Sequence, residues 1–360
     1  MNHAWPGAEW DVNMSHARNV TGLDPGRTNL VGAPPPGALH LPANKPGVSW
    51  VYNSLLFDGG HVKRTLFSAI AVFALVGFVR ADELEDSYAK LKETVAKKDA
   101  DAVKADAAAT NKLAQVLITA PQPSDAAEVD NWKQRIEYGK EVAAYSEYAL
   151  AYIATSVEAP KTIELVDALI AQNPKSKYLD LCTSSYLAAL GKSGAAKQMD
   201  GMTKIVAGRP DNEVALAALT EGLANKSPDR ALNYANKLVA VLKTKAKPEG
   251  VSEGDWEKTK AAGLATGYYV SGAIYGGKSD WLDCDRQLKA AMPLVHDNTR
   301  LGIIYFYLGL ANYQLAKVTL DRTKMQAALK YSQQSAAIAG PMKDQAYHNV
   351  LAIQNELGHK

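Results

Sequence analysis

From Asp82 to the end of the chain, apolar residues recur at intervals of three and four, which is the period of an amphipathic α-helix. No run alternates apolar and polar residues in the way that a half-buried strand does. Short breaks such as Asn173-Pro174 and Ser227-Pro228 separate the helical segments. In the second break, serine at the N-cap and proline at the first helical position predict a helix start. The pattern as a whole predicts an all-α protein.

The breaks divide the chain into pairs of helices followed by one last helix. The predicted pairs are 84–97 with 99–118, 125–156 with 160–172, 177–190 with 192–207, 212–224 with 228–243, 253–275 with 279–295, and 299–316 with 322–338, and the last helix is 342–357. Helix pairs that recur at intervals of this kind are typical of repeat proteins, in which each unit packs mainly against its neighbours.

The first part of the chain has a different composition. Residues 1–61 include Pro34-Pro35-Pro36 and show neither helical nor strand periodicity. Such a segment cannot gather enough apolar surface to offset its ordering entropy, so we predict that it is unstructured. Because GTG encodes valine and also serves as a bacterial start codon, the favoured interpretation is that translation begins at Val62, and a genuine unstructured extension is the alternative. With a start at Val62, residues 1–61 would not be part of the protein.

Residues 62–81 have the order of a secretory signal peptide. Lys63-Arg64 supplies a positive charge, Leu66–Val79 is uncharged and mostly apolar, and small residues precede Asp82. The apolar run is shorter than the roughly 20 residues that span a bilayer, so a permanent membrane anchor is the weaker interpretation. The sequence therefore predicts cleavage before Asp82 and a periplasmic or secreted domain formed by residues 82–360.

The charge balance bears on the class of partner. The whole chain has a formal net charge of +2, and this excess lies in the first 81 residues. Basic and acidic residues are therefore equal in number in the predicted mature domain, which contains no basic run. This balance argues against nucleic acid as a partner and against binding to an anionic membrane surface.

Few residues suggest catalysis. His296, His348 and His359 lack the spacing of metal ligands, so we predict neither a metal nor another cofactor. Residues 272–279 match the phosphate-loop pattern, but that loop requires a preceding strand and the preceding segment has helical periodicity. A helix–turn–helix is the favoured interpretation of this segment. Cys182 and Cys284 belong to non-adjacent predicted pairs, which favours two buried free thiols over a disulfide.

Two segments suggest a family. Residues 268–291 place an aromatic residue, glycine and tyrosine on one helix and small or apolar residues on the next: Tyr268, Gly272, Tyr275, Cys284, Leu288 and Ala291. Tyr305, Leu308 and Gly309 repeat the beginning of this motif, although Ser271 and Asn312 depart from it. The chain thus resembles the tetratricopeptide repeat family. The resemblance implies a right-handed superhelical solenoid of antiparallel helix hairpins, with about six pairs and a C-terminal capping helix.

The same resemblance implies a concave groove lined by the first helices of the pairs. The residues that we expect to bind a partner there are Tyr145, Tyr148, Tyr152, Tyr269, Phe306, Leu310 and Tyr313. Tyrosine suits a binding surface because it offers a large apolar area and a polar tip. The expected function is a non-enzymatic scaffold of the cell envelope that binds a protein or an extended peptide.

Two alternatives stay open at this point. One is an enzyme or small-ligand binder that uses the 272–279 loop or a pocket between helices 125–156 and 253–275. The other is a structural protein whose apolar faces pair with one another. The sequence alone does not predict the oligomeric state.

Overall fold

The computed structural model describes residues 82–248 and 251–358, and these residues form helices and turns without any strand. The predicted all-α class is therefore confirmed. The expected extension over 1–61 and the expected signal peptide lie outside the described residues. Within the described part of the chain, no helix is both long enough and apolar enough to cross a bilayer.

The described residues form thirteen α-helices, numbered here in chain order. The first, α1, covers 82–97, and α2 to α13 are Ala100–Ile118, Val129–Ala154, Ala159–Gln172, Leu179–Gly191, Ala195–Gly208, Glu213–Leu223, Pro228–Thr244, Glu253–Gly277, Trp281–Ala291, Asn298–Thr319, Arg322–Ala337 and Lys343–Gly358. Two 3-10 turns, Ala126–Glu128 and Met292–Leu294, flank α3 and α10. The predicted bounds agree with these to within about four residues, which is the usual precision of such predictions.

Six of the helices from α2 to α12 begin with a side-chain cap, whereas α3, α4, α5, α6 and α8 begin without one. Asp99, Asn212 and Asp297 each occupy an N-cap and accept a hydrogen bond from a backbone N–H of the first turn. Pro228 is the first residue of α8, as predicted. Ser227 occupies the N-cap position, as predicted, but its side chain makes no cap hydrogen bond. Proline at the first position still suits this start, because its missing N–H leaves no donor to satisfy.

The helices pack in a regular order. Within residues 100–358, the helix pairs in extensive contact lie one or two positions apart in the chain. Helices α3, α5, α7, α9 and α11 each contact the next odd-numbered helix, whereas among the even-numbered helices only α2 and α4 make extensive contact. The odd-numbered helices thus form a row, which we call the odd row, and the even-numbered helices flank it.

Glycine allows close packing within two pairs of adjacent helices, α9 with α10 and α11 with α12. A Cβ atom added to Gly272 of α9 would lie 2.5 Å from Leu288 Cδ2 on α10. A Cβ atom on Gly309 of α11 would lie 2.6 Å from Ser332 Oγ on α12. The close approach expected at the glycine positions of the repeat motif is therefore confirmed. Ala291, on the second helix of the first of these pairs, is fully buried, as its small side chain suggested.

The two cysteines lie in separate parts of the core. Cys182 belongs to the cluster that extends from α1 to α9, and Cys284 belongs to the cluster around α9 to α11. Both thiols are free and buried. Burial raises the pKa of each thiol to about 12, because the thiolate would lose its hydration. Both residues therefore behave as small core hydrophobes.

Candidate partner-binding surface

Three of the predicted binding residues form the centre of a continuous aromatic surface. Tyr145, Tyr148 and Tyr152 lie on α3 at spacings of three and four, which places them on one side of that helix. All three are half-buried. The ring centroids of Tyr145 and Tyr148 are 5.9 Å apart, and Tyr148 stacks on Tyr152 at 5.6 Å. The sequence prediction that these rings share a face is confirmed.

Neighbouring odd-numbered helices extend this surface in both directions. Tyr88 of α1 meets Tyr145 edge-on, with their ring centroids 5.1 Å apart. Tyr178, the residue just before α5, meets Tyr148 edge-on at 5.6 Å. We call these five residues, Tyr88, Tyr145, Tyr148, Tyr152 and Tyr178, the tyrosine ribbon. The ribbon crosses α1, α3 and the beginning of α5.

The ribbon hydroxyls are hydrogen-bond donors. Burial raises the pKa of Tyr145 to about 12 and also raises the pKa of Tyr88 and of Tyr148, so the protonated form is favoured in each. Within the described residues, no hydrogen bond engages the hydroxyl groups of the ribbon. By contrast, the buried Tyr186 donates to Asp167 Oδ1 at 2.6 Å. The ribbon thus combines apolar ring surface with donors that a partner can use.

A lysine lies over the ring at each end of the ribbon. Lys92 Nζ is 4.1 Å from the ring centroid of Tyr88, and Lys177 Nζ is 5.1 Å from that of Tyr178. Both lysines are exposed, so these cation–π contacts contribute little to stability. They do place a positive charge at each end of an uncharged aromatic surface.

The expected binding residues on α9 and α11 are arranged differently. Tyr269 is half-buried, and the Arg300 guanidinium lies 5.6 Å from its ring centroid. Arg300 donates to Glu221 of α7, which also accepts from Thr266 of α9. A cavity of about 50 Å³ lies beside this ring, lined by Ala224, Asn225, Tyr269, Val270, Ala273 and Ile274. The surroundings of Tyr269 therefore combine a charged pair with a small cavity.

Phe306 requires a correction. It was expected to be partly exposed, but only 7% of its surface is accessible, because its ring packs against Tyr307 in the core. Tyr268 and Tyr305, the first aromatic residues of the two motif segments, are half-buried. Helical spacing predicts that Tyr305 and Phe306 lie on different faces of α11. It does not predict which of these faces is covered by the neighbouring helices.

Leu310 and Tyr313 are half-buried. Tyr313 donates to Glu356 Oε1 of α13 at 2.5 Å, and its ring packs on the core cluster near the C-terminal end. Among the ring contacts of the described residues, none joins Tyr269 or Tyr313 to the tyrosine ribbon. The seven expected residues therefore do not form one continuous cluster of rings, and the ribbon is the part in which the rings are in contact.

The segment that matches the phosphate-loop pattern begins inside a helix. Residues 272–277 are the last part of α9, so a helix precedes the turn where a phosphate loop requires a strand. The ammonium group of Lys278 pairs with Asp229 instead of pointing into an open loop. In the described part of the chain, no group of three or more His, Cys, Asp and Glu side chains is arranged to hold a metal ion.

Two members of the ribbon were missed by sequence reasoning. Tyr88 is the single tyrosine of its predicted helix, and Tyr178 shares its helix only with Tyr186, eight residues later, so no spacing of three or four marks either residue. Only the packing of α1 and α5 beside α3 brings them to the same surface as Tyr145 and Tyr148.

The comparisons with known proteins add no family. No protein-family model matches the chain, and no curated protein or solved structure matches it either. The class of protein that the fold defines is therefore an all-helical protein whose odd-numbered helices form a row.

Proposed function

We propose that this chain is a non-enzymatic interaction scaffold of the bacterial cell envelope, which binds a peptide or protein segment on its odd row. The single observation that carries the proposal is the tyrosine ribbon. Five half-buried rings form a continuous surface across three helices, and their hydroxyls are free to donate to a partner. Aromatic side chains that combine apolar area with a polar tip dominate the energetics of many interfaces.

The architecture of the scaffold is part of the proposal. We propose that the helix hairpins stack as a right-handed superhelical solenoid of the tetratricopeptide type. Packing between neighbours along the chain, together with the row of odd-numbered helices, supports this arrangement. In such a solenoid the first helices of the pairs line the concave side, and these are the odd-numbered helices that carry the ribbon.

Export is the third part of the proposal. The signal-peptide pattern at 62–81 supports delivery to the periplasm or the medium, with the mature chain beginning at Asp82. Two buried free thiols suit this location, because core cysteines are shielded from the oxidants of that compartment.

The test is a selection of peptides from a random displayed library on the purified protein. Enriched peptides should bind the wild type and lose at least tenfold in affinity with Tyr148→Ala, because Tyr148 contacts three other rings of the ribbon. Tyr331→Ala is the matched control, since Tyr331 is also half-buried and stacks on Tyr305 at 6.3 Å. Peptides that bind both variants equally, or a library without enrichment, would contradict the proposal.

A further inference from the structure

The length and chemistry of the tyrosine ribbon restrict the kind of segment that fits it. We infer that its ligand is an extended proline-rich peptide with an acidic residue at the end that meets Lys177. This inference rests on the proposed function, because it names the class of peptide that the same surface takes.

The ribbon favours a polyproline II segment over a strand or a helix. A strand would need a sheet edge, and the described residues contain no strand. An amphipathic helix would leave the tyrosine hydroxyls without backbone acceptors, because its carbonyl oxygens are already hydrogen-bonded within the helix. Polyproline II has no internal hydrogen bonds, so its carbonyl oxygens are free to accept from tyrosine hydroxyls. Proline rings pack well against aromatic faces, and the preformed conformation lowers the entropy cost of binding.

The dimensions fit a short segment. Three ring-to-ring steps of 5.1, 5.9 and 5.6 Å lead from Tyr88 through Tyr145 and Tyr148 to Tyr178. The two ends are thus at most about 17 Å apart, which a polyproline II segment covers with about five residues at about 3.1 Å each.

The charges at the two ends differ and give the ligand a direction. At the Tyr88 end there is one exposed lysine, Lys92, and the carboxylate of Glu141 also lies near this ring, where its negative charge adds to burial in raising the pKa of Tyr88. At the Tyr178 end, Lys175 and Lys177 are exposed and form no ion pair with any described residue. Two carboxylates belong to this end: Glu147, which accepts from Asn173 at 2.9 Å, and Asp180, which is paired with Arg209 and Lys245.

The Tyr178 end therefore carries an excess of positive charge, since Lys175 and Lys177 are unpaired among the described residues and the charge of Asp180 is already balanced by Arg209 and Lys245. An acidic residue of the ligand next to Tyr178 would meet this charge, and the on-rate would rise through electrostatic steering. An acidic residue at the Tyr88 end would gain less, because Glu141 opposes it.

The experiment measures fluorescence polarisation of three labelled peptides with the full chain. The first peptide is six prolines followed by two glutamates. The second is six prolines followed by two lysines, and the third is six alanines followed by two glutamates. The acidic proline peptide should bind at least tenfold more tightly than either of the others. Its affinity should also fall as salt rises, because part of the attraction is electrostatic.

Variants then assign the contacts. Tyr148→Phe keeps the ring and removes one donor, and it should weaken the acidic proline peptide about threefold to tenfold. Lys177→Glu is an exposed change that should reverse the preference between the acidic and the basic peptide. Lys192→Glu, another exposed lysine in a turn, is the matched control and should leave the preference unchanged. Circular dichroism melts check that each variant folds.

The outcomes separate this inference from the proposed function. If library-selected peptides without proline bind through Tyr148, the scaffold function stands and the proline-rich ligand is wrong. If the alanine peptide binds as tightly as the proline peptides, or if Lys177→Glu leaves the charge preference unchanged, the inference also fails. If an oligosaccharide binds the ribbon in a Tyr148-dependent way while all peptides fail, both the ligand class and the peptide-binding function are overturned.

Discussion

Arg300 of α11 donates from Nη2 to Glu221 Oε1 of α7 at 3.1 Å, although 79 residues separate them in the sequence. The two helices are four positions apart in the chain, and α9 lies between them in the odd row. Thr266 of α9 donates to the same carboxylate oxygen at 3.3 Å. One carboxylate therefore links three successive helices of the odd row.

We expect this ion pair to stabilise the fold modestly. Its side chains are 30% and 28% exposed, so solvent screens part of the attraction. A double-mutant cycle with Arg300→Met and Glu221→Gln, measured by urea unfolding, should give a coupling energy of about 0.5–1 kcal/mol. The coupling should shrink in high salt. The exposed pair Lys204–Asp200 is the control and should give less, and equal values for the two pairs would show that α7 and α11 are not coupled here.

Gly272→Ala should destabilise the protein in spite of alanine's higher helix propensity. Alanine favours a helix by roughly 1 kcal/mol over glycine. The added Cβ would however lie 2.5 Å from Leu288 Cδ2 and 3.2 Å from the Leu288 backbone nitrogen, so α9 and α10 must separate. We expect a net loss of about 1–3 kcal/mol in the free energy of unfolding. In the control, Gly277→Ala meets nothing within 4 Å and should be neutral. A neutral Gly272→Ala would mean that these helices are not in close contact.

The sequence was sufficient to predict the helices because their signals are local. Helical periodicity, prolines and glycines lie within each segment, so the bounds follow from neighbouring residues. The same holds for the stripe of Tyr145, Tyr148 and Tyr152, since one helix determines their common face. The repeat motif also identified Gly272 as a close-packing position.

The candidate site was predicted only in part, because its completion depends on packing between helices. Tyr88 and Tyr178 join the ribbon through contacts with α3 that no local pattern encodes. Phe306 was assigned to the wrong environment for the same reason: its helix is apolar on several sides, so periodicity alone did not show which face the neighbours cover.

Both thiols should be unreactive in the folded protein. Cys182 and Cys284 are fully buried, and burial raises their pKa to about 12, so almost no thiolate exists at pH 8. A chromogenic disulfide reagent should titrate no thiol in the native state and two thiols in guanidinium chloride. Finding no thiol under denaturing conditions without reductant would mean that a disulfide joins the two cysteines and that the described packing is wrong.

Tyrosine ionisation should make the folded protein less stable in alkali. The pKa of Tyr138 and of Tyr145 is raised to about 12, first by burial, whereas an unfolded tyrosine ionises near 10. Above pH 10 the unfolded chain therefore binds fewer protons than the folded chain, and stability falls as the pH rises towards 12. Urea unfolding at several pH values should show this fall, and Tyr145→Phe should show a smaller one. If the absorbance of every tyrosine in the native protein titrates near pH 10, burial of these hydroxyls is contradicted.

The last prediction concerns the mature N-terminus. If Leu66–Val79 is the apolar region of a signal peptide, protein recovered from the periplasm or medium of a bacterial host should begin at Asp82. Phe73→Arg places a charge inside the apolar run, so the precursor should stay uncleaved in the cytoplasm. Gly60→Arg lies before the run and should be processed normally. N-terminal sequencing and intact mass measure both outcomes, and a mature protein that begins before Val62 would contradict export and the alternative start together.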